Sequence, residues 1–362
     1  MKKNSYFIPC LLLAMLSVAC SSDDDNTGGA DSNGASGSGC YILNQGLWGG
    51  NDASIQYYNF ETSLATSPIC TQDLFYSNNS TLLGDVAQDM LWINEKLYVT
   101  VSSSQKLEIL DEQGRRLREE PYTYTETMAC PRMMATDGEY LYVVNYDKNI
   151  YVYDIETDEL VKTIPVGSYP EGISYVDGYL VVSNSDYGAC DGDASLSVVD
   201  VNSGIVREIK EHICNPGVQS VACNGDVYII DQGNYSTIGS NILRINPRSA
   251  TVETLGISAS LLAVYENTLF YVNASWNYGI NDYAYSPLYR YDTVSGETVE
   301  LLSTEVMKNV NSLSVNPENG DIYVGYSNGT NLGNMRVFAA DGTQQGVFDV
   351  GLFTCGARFE IK

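Results

Sequence analysis

The sequence holds a single histidine, His212, among 362 residues. That count excludes a multi-histidine metal centre and leaves a Ser-His-Asp triad dependent on one imidazole, so no site metal is expected. Alone, His212 reads first as a loop donor. Basic residues are scarce too: 19 Lys plus Arg stand against 45 Asp plus Glu, a formal net charge of −26. Phosphate backbones are gripped by clustered basic side chains, and no such cluster exists, which excludes nucleic acid as a partner. The cysteines form no C-x-x-C pair, which removes zinc-ribbon and thioredoxin-like readings. Phosphate-cradling glycine loops are absent as well, since Gly46, Gly49 and Gly50 follow a strand but open no helix. No residue is marked as a nucleophile, and neither catalysis nor a catalytic cofactor is expected.

What the chain does have is tyrosine (28) and glycine (32), in short β-branched and aromatic runs closed by turn residues. That composition favours strands and tight hairpins over helices.

The two ends of the chain differ from its body. Lys2 and Lys3 precede an apolar stretch, Phe7 to Leu16, that is too short to span a bilayer and reads as an export signal over residues 1–19. The ending Ser17-Val18-Ala19-Cys20 resembles a bacterial lipobox, which implies a lipid on Cys20 and attachment to a membrane through it. Residues 20–39 are Ser, Gly, Asp and Asn with no core-forming side chain, a flexible tether. The run Asp23-Asp24-Asp25 just after Cys20 resembles the surface-export signal of Bacteroidetes lipoproteins and implies display on the outer membrane, facing the cell exterior. Loss of Lys2 and Lys3 with the leader takes the net charge from −26 to −28. Seven of the nine cysteines then remain: Cys40, Cys70, Cys130, Cys190, Cys214, Cys223 and Cys355. An odd number leaves at least one thiol outside an intramolecular bond, and Cys190–Cys214 is the expected disulfide.

From residue 40 to 362 the chain repeats with a period of roughly 40–50 residues, the signature of a β-propeller. Residues 139–178 show the unit most clearly: four short β runs, bracketed by Asp137-Gly138 and Asp177-Gly178. Aligning the second strand of each unit gives seven: Tyr41–Asn44, Tyr98–Val101, Tyr142–Asn145, Leu180–Ser183, Tyr228–Asp231, Phe270–Asn273 and Tyr323–Tyr326. The expected fold is all-β, a seven-bladed propeller of four-stranded antiparallel blades. The first unit starts at its second strand, and the unpartnered run Ala357–Ile361 is expected to supply the missing inner strand and close the ring.

The two faces of such a ring have different chemistry. One carries tight turns such as Asn224-Gly225 and Asp341-Gly342, which tolerate the positive φ that hairpins require. The other carries long loops, 45–52, 184–194, 232–240, 274–286 and 327–333, joined by inter-blade loops bearing Tyr76, Tyr124, Tyr169, His212 and Phe353. Exposed aromatics mixed with Asn, Ser and Gln on a rigid scaffold make a ligand-binding surface, although each single ring could instead pack between blades. The stacking candidates are Trp48, Tyr146, Tyr187, Tyr235, Trp276, Tyr278, Tyr326 and Phe353; the polar candidates are Asp186, Gln232, Asn234 and Asn277. Asp186, Asp191 and Asp193 could in principle hold a hard cation, but their spacing is not that of an EF-hand and an acidic surface loop is the favoured reading.

The strings Tyr142-Val143-Val144-Asn145 and Val166-Gly167-Ser168-Tyr169-Pro170-Glu171-Gly172-Ile173 resemble the YVTN-repeat, YncE-like propellers. Asn215-Pro216-Gly217-Val218 keeps the Pro-Gly of that string, while Val310-Asn311-Ser312-Leu313 has lost it. With the lipobox, the acidic tether and the opening Tyr41, Leu43, Asn44 and Gly46, the chain is similar to the BtuG family of surface lipoproteins. That resemblance implies capture of cobalamin or a related corrinoid on the loop face and delivery to a BtuB-like, TonB-dependent transporter of the outer membrane. Because His212 is the one imidazole and is expected on that face, it is a candidate axial contact to cobalt should a corrinoid bind. Two other classes stay open: a surface glycan-binding lipoprotein, and a propeller enzyme of the lactonase or quinoprotein kind.

Overall fold

The computed structural model describes residues 39–60, 72–126, 129–274, 285–303, 308–327 and 332–360, with the backbone alone at 276–277 and 282–283. The export signal, Cys20 and the tether up to residue 38, Cys70, Tyr278 and the side chains of Trp276 and Asn277 lie outside the described residues.

The chain folds as a seven-bladed β-propeller. Among the described residues six blades are four-stranded antiparallel sheets and the seventh is three-stranded. The blade Pro131–Thr136, Tyr140–Asn145, Asn149–Asp154 and Leu160–Pro165 is typical, each strand pairing with the next in sequence. Its second strand, YLYVVN, is a continuous apolar run because neighbouring blades cover both its faces; its outermost strand is almost wholly exposed. Seven hydrophobic clusters result, each drawing residues from two adjacent blades, so the core lies between sheets rather than within one.

The C-terminal strand closes the ring. Thr354–Phe359 pairs antiparallel with Gly39–Asn44, Cys40 facing Phe359 and Ile42 facing Ala357. The buried Glu360 carboxylate then accepts hydrogen bonds from the Tyr41 and Tyr57 hydroxyls, both at 3.1 Å, tying the last strand to the first two. Each of the seven inner strands packs on the next, Thr354–Phe359 against Ala87–Ile93 completing the circle. They enclose a central channel of about 450 Å³ that all seven line. In it Arg358 pairs with Asp89 at 2.7 Å and donates to the Met90 carbonyl.

The turn face is as expected: Asn224 and Gly225 have φ of 52° and 78°, and Asp177 and Gly178 have 46° and 85°. One inter-blade connection departs from expectation. Leu74–Asn79 forms a one-and-a-half-turn helix, capped by Asp73, whose Asn78 and Asn79 side chains donate to the Gln113 and Gly114 carbonyls of a hairpin on the turn face. Tyr76 therefore sits with the turn face and not with the long loops. Tyr124 is buried between blades, its hydroxyl bonded to that of Tyr153.

Candidate ligand-binding crown

Strand direction fixes which loops share a face. Second strands end, and inner strands begin, on the side opposite the tight turns, and that side forms a crown. At its mouth six of the seven inner strands break register with their neighbours within their first few residues. Such bulges re-aim side chains that a regular strand would hold elsewhere. In the strand Pro131–Thr136 the bulged segment carries Arg132, and in Pro170–Val176 it carries Glu171.

These two form the electrostatic centre of the mouth. Arg132 donates through Nε and Nη2 to Glu171 Oε2 at 2.9 and 2.6 Å, and through Nη1 to Gln88 at 2.5 Å. The Tyr146 hydroxyl donates to the other Glu171 oxygen, and the Arg132 guanidinium lies 5.0 Å from the centre of the Tyr146 ring. Burial alone would lower the Arg132 pKa, but Glu171 and Tyr146 outweigh it and hold the guanidinium above its ordinary value. Burial pushes the Tyr146 phenol up; Arg132 opposes that and Glu171 adds to it.

From Tyr146 the site opens into a tyrosine triad. Tyr169 and Tyr187 stand edge-on to Tyr146 at 5.9 and 6.4 Å and 4.7 Å from each other, separations at which aromatic rings attract. The short loop at Asp147 and Lys148 leaves a groove of about 670 Å³ beside the triad, with Tyr146, Tyr169 and Ser168 along it.

The adjoining sector is stapled. Cys190–Cys214 links the loop bearing Tyr187 to the inter-blade loop bearing His212, the disulfide expected from the sequence. Ser185 donates to Asn215 at 2.7 Å, Asn215 donates to the Tyr235 hydroxyl at 3.0 Å, and Tyr235 donates to Gln232 at 2.5 Å. Gly188 lies so close under the Tyr235 ring that a Cβ would stand 2.8 Å from it, at a φ of 84° that also favours glycine. Elsewhere on the crown, Trp48 tips a loop whose amides are held by carboxylates: Leu47 N–H by Asp52 at 2.7 Å and Gly49 N–H by Asp85 at 2.9 Å. A rigid base therefore presents an indole that is 87 % exposed.

The family described as "Domain of unknown function (DUF5074)" matches residues 38–341. The chain belongs to that family. No curated protein matches this DUF5074 chain. Among solved structures it is similar to a chain of Kuenenia stuttgartiensis hydrazine synthase, at 15 % identity and a TM-score of 0.56, over 70 % of this chain and 76 % of that one. A likeness at that identity concerns the propeller fold alone.

The expected contact residues fall into distinct groups. Trp48, Tyr187 and Tyr235 are exposed on the crown at 87, 54 and 65 %, and His212 is exposed there with Nε2 3.5 Å from Glu211. Tyr146, Asp186, Gln232 and Phe353 are partly buried at its base. Asn234 lies on the crown, but its Oδ1 accepts the Ser236, Thr237 and Ile238 amides and shapes its own loop. Tyr326 is a correction: at 7 % exposed it belongs to an inter-blade core, because this last residue of its strand packs against the neighbouring blade instead of facing the loops. Asp186 and Asp191 cap turns through the Gly188 and Asp193 amides, and among the described residues no three His, Cys, Asp or Glu side chains gather as a metal site. The backbone of Trp276 and Asn277 forms a small hairpin with Asp282–Tyr283 in the loop after its second strand.

Arg132, Glu171, Tyr169 and Tyr285 (53 % exposed) are crown residues absent from the expected contact set. Pro131-Arg132 and Pro170-Glu171 occupy matching positions in adjacent blades with opposite charge, and that pairing is the signal that could have found the first two.

Proposed function

We propose that this DUF5074 protein is a non-catalytic capture lipoprotein. Held at the cell surface in the outer membrane through lipid on Cys20, it binds cobalamin or a related corrinoid on the crown and delivers it to a BtuB-like, TonB-dependent transporter. The observation that supports this reading is the gathering of exposed rings, Trp48, Tyr187, Tyr235 and Tyr285, on one face above a rigid base. A corrinoid is a broad amphipathic disc edged with amides; aromatic planes cover its apolar area while loop oxygens and amides meet the rim. Among the described residues the opposite face is mostly short hairpins and exposes Tyr76 rather than a group of rings.

Isothermal titration of the protein lacking its first 38 residues with cyanocobalamin tests the reading. Saturable heat at micromolar concentration or tighter is the expected result. Aromatic planes suit sugar rings too, so an oligosaccharide panel is titrated in parallel. Heat with a sugar and none with cyanocobalamin would replace the corrinoid with a glycan.

A further inference from the structure

We infer that the crown selects hydrogen-bond donors and rejects anions, so that it takes a ligand in its neutral, amide- or hydroxyl-bearing form and discriminates against the matching carboxylate. The choice of cobalamin as a probe rests on the capture reading above; the selectivity itself follows from the hydrogen bonding of the loops.

Loops hold anions through exposed backbone N–H groups or through cations with a donor to offer. Among the described residues of this crown many of those donors already have partners, and the partners are oxygens. Asp52 and Asp85 take the amides beneath Trp48. Asp231 takes the Cys214, Asn215 and Gly233 amides at 2.7, 2.9 and 3.0 Å. Asp186, Asp191 and Asn234 cap the turns that bear Tyr187, Asp193 and Ile238. Arg132, beneath the triad, has Nε, Nη1 and Nη2 all on acceptors. Lys148 shares its groove with Glu126 and Asp147.

Asn145 leaves both its amide nitrogen and its amide oxygen unmet and so favours neither sign, but the unmet atoms of charged groups in this sector are of one kind. Asp147 Oδ1 and Asp186 Oδ2 are buried acceptor oxygens with no hydrogen-bond partner among the described residues. An arriving carboxylate thus meets like charge and acceptors, whereas a primary amide in the same place brings two N–H donors. Like-charge juxtaposition is an effective way to refuse a near-identical ligand.

Matched pairs test this: cyanocobalamin against its monocarboxylic acid, in which one peripheral amide is hydrolysed, and a neutral oligosaccharide against its uronic-acid counterpart. The acid of a binding pair should bind roughly ten-fold more weakly at low salt. Raising ionic strength from about 0.05 M to about 0.5 M shortens the screening length from roughly 14 to roughly 4 Å and should close most of that gap. Asp186→Asn combined with Asp191→Asn should narrow it at low salt. Equal affinity for the neutral and acid members, or a preference for the acid, overturns the inference. Discrimination by the sugar pair with no cyanocobalamin binding upholds it and removes the corrinoid assignment; no binding by either pair removes both.

Discussion

Glu171→Ala should be among the most damaging single substitutions at the crown. The carboxylate has 9 % side-chain exposure and holds Arg132, at 16 %, through two hydrogen bonds to one oxygen, while its other oxygen accepts from Tyr146. Removing it leaves a buried guanidinium with only Gln88 to accept its hydrogen bonds beside the Tyr146 ring, and a phenol without its acceptor. Breaking a buried pair from one side costs about 3–5 kcal/mol. With an unfolding entropy of about 2.1 cal/mol/K per residue, roughly 320 residues lose about 1.5 °C of Tm per kcal/mol, or about 4–8 °C here. Arg132→Met alone should cost a similar amount, because it strands the carboxylate instead. The double variant Arg132→Met, Glu171→Leu should return to within about 1–2 kcal/mol of the parent, since a packed apolar pair replaces two desolvated charges. Calorimetry of the four proteins gives the coupling energy, expected to exceed about 2 kcal/mol. Strictly additive losses would refute the reasoning, for they would mean the charges do not depend on each other.

Three further outcomes follow from the same geometry. Cys190→Ser with Cys214→Ser opens a link across 24 positions; the chain-entropy account gives a loss of about 3.5 kcal/mol, read as a Tm matching that of the reduced parent, and an unchanged Tm would contradict it. Trp48→Ala should alter stability by less than about 0.5 kcal/mol, because the ring is exposed, yet weaken ligand binding by roughly 2–12-fold; a thermal loss without a binding loss would make Trp48 a packing residue. Alkaline pH should unfold the protein. Burial first, and then the carboxylates of Glu360, Asp158 and Asp137, raise the phenols of Tyr41 and Tyr57, of Tyr98 and of Tyr142. A pKa raised in the folded state contributes stability that is complete below the unfolded value near 10 and lost above it, so Tm should hold to about pH 9.5 and then fall, with phenolate absorbance rising in step with unfolding.

Much of the ring was legible because its signals are local. The run YLYVVN is too apolar for an exposed strand and too short for a core helix, and its recurrence before a turn gives the blade. Cys190 and Cys214 could be paired because both lie in loops assigned to one face. What escaped depends on phase and on tertiary contact. Tyr146 stands one residue beyond its strand and reaches the mouth, whereas Tyr326 is the last residue of the equivalent strand and goes into the core; both strands end where the sequence puts them, and what a sequence pattern does not show is whether the side chain at that end turns to the mouth or between the blades. The segment LFYSNN resembles a loop until Asp73 caps it and a neighbouring hairpin receives its asparagines. The Arg132–Glu171 pair spans two blades and needs a register break in each, neither of which leaves a mark in a single sequence.

Because the first and last strands are partners in one sheet, with Cys40 opposite Phe359, the two ends of the ring are neighbours on the hairpin side. A few glycines bridging them would make the polypeptide circular without disturbing the crown. New ends could then be cut at Asp177-Gly178, whose tight turn faces away from the aromatic loops. Rewired in this way, the propeller would fasten inside an intact four-stranded blade, and the latch of Glu360, Tyr41 and Tyr57 would become ordinary interior packing.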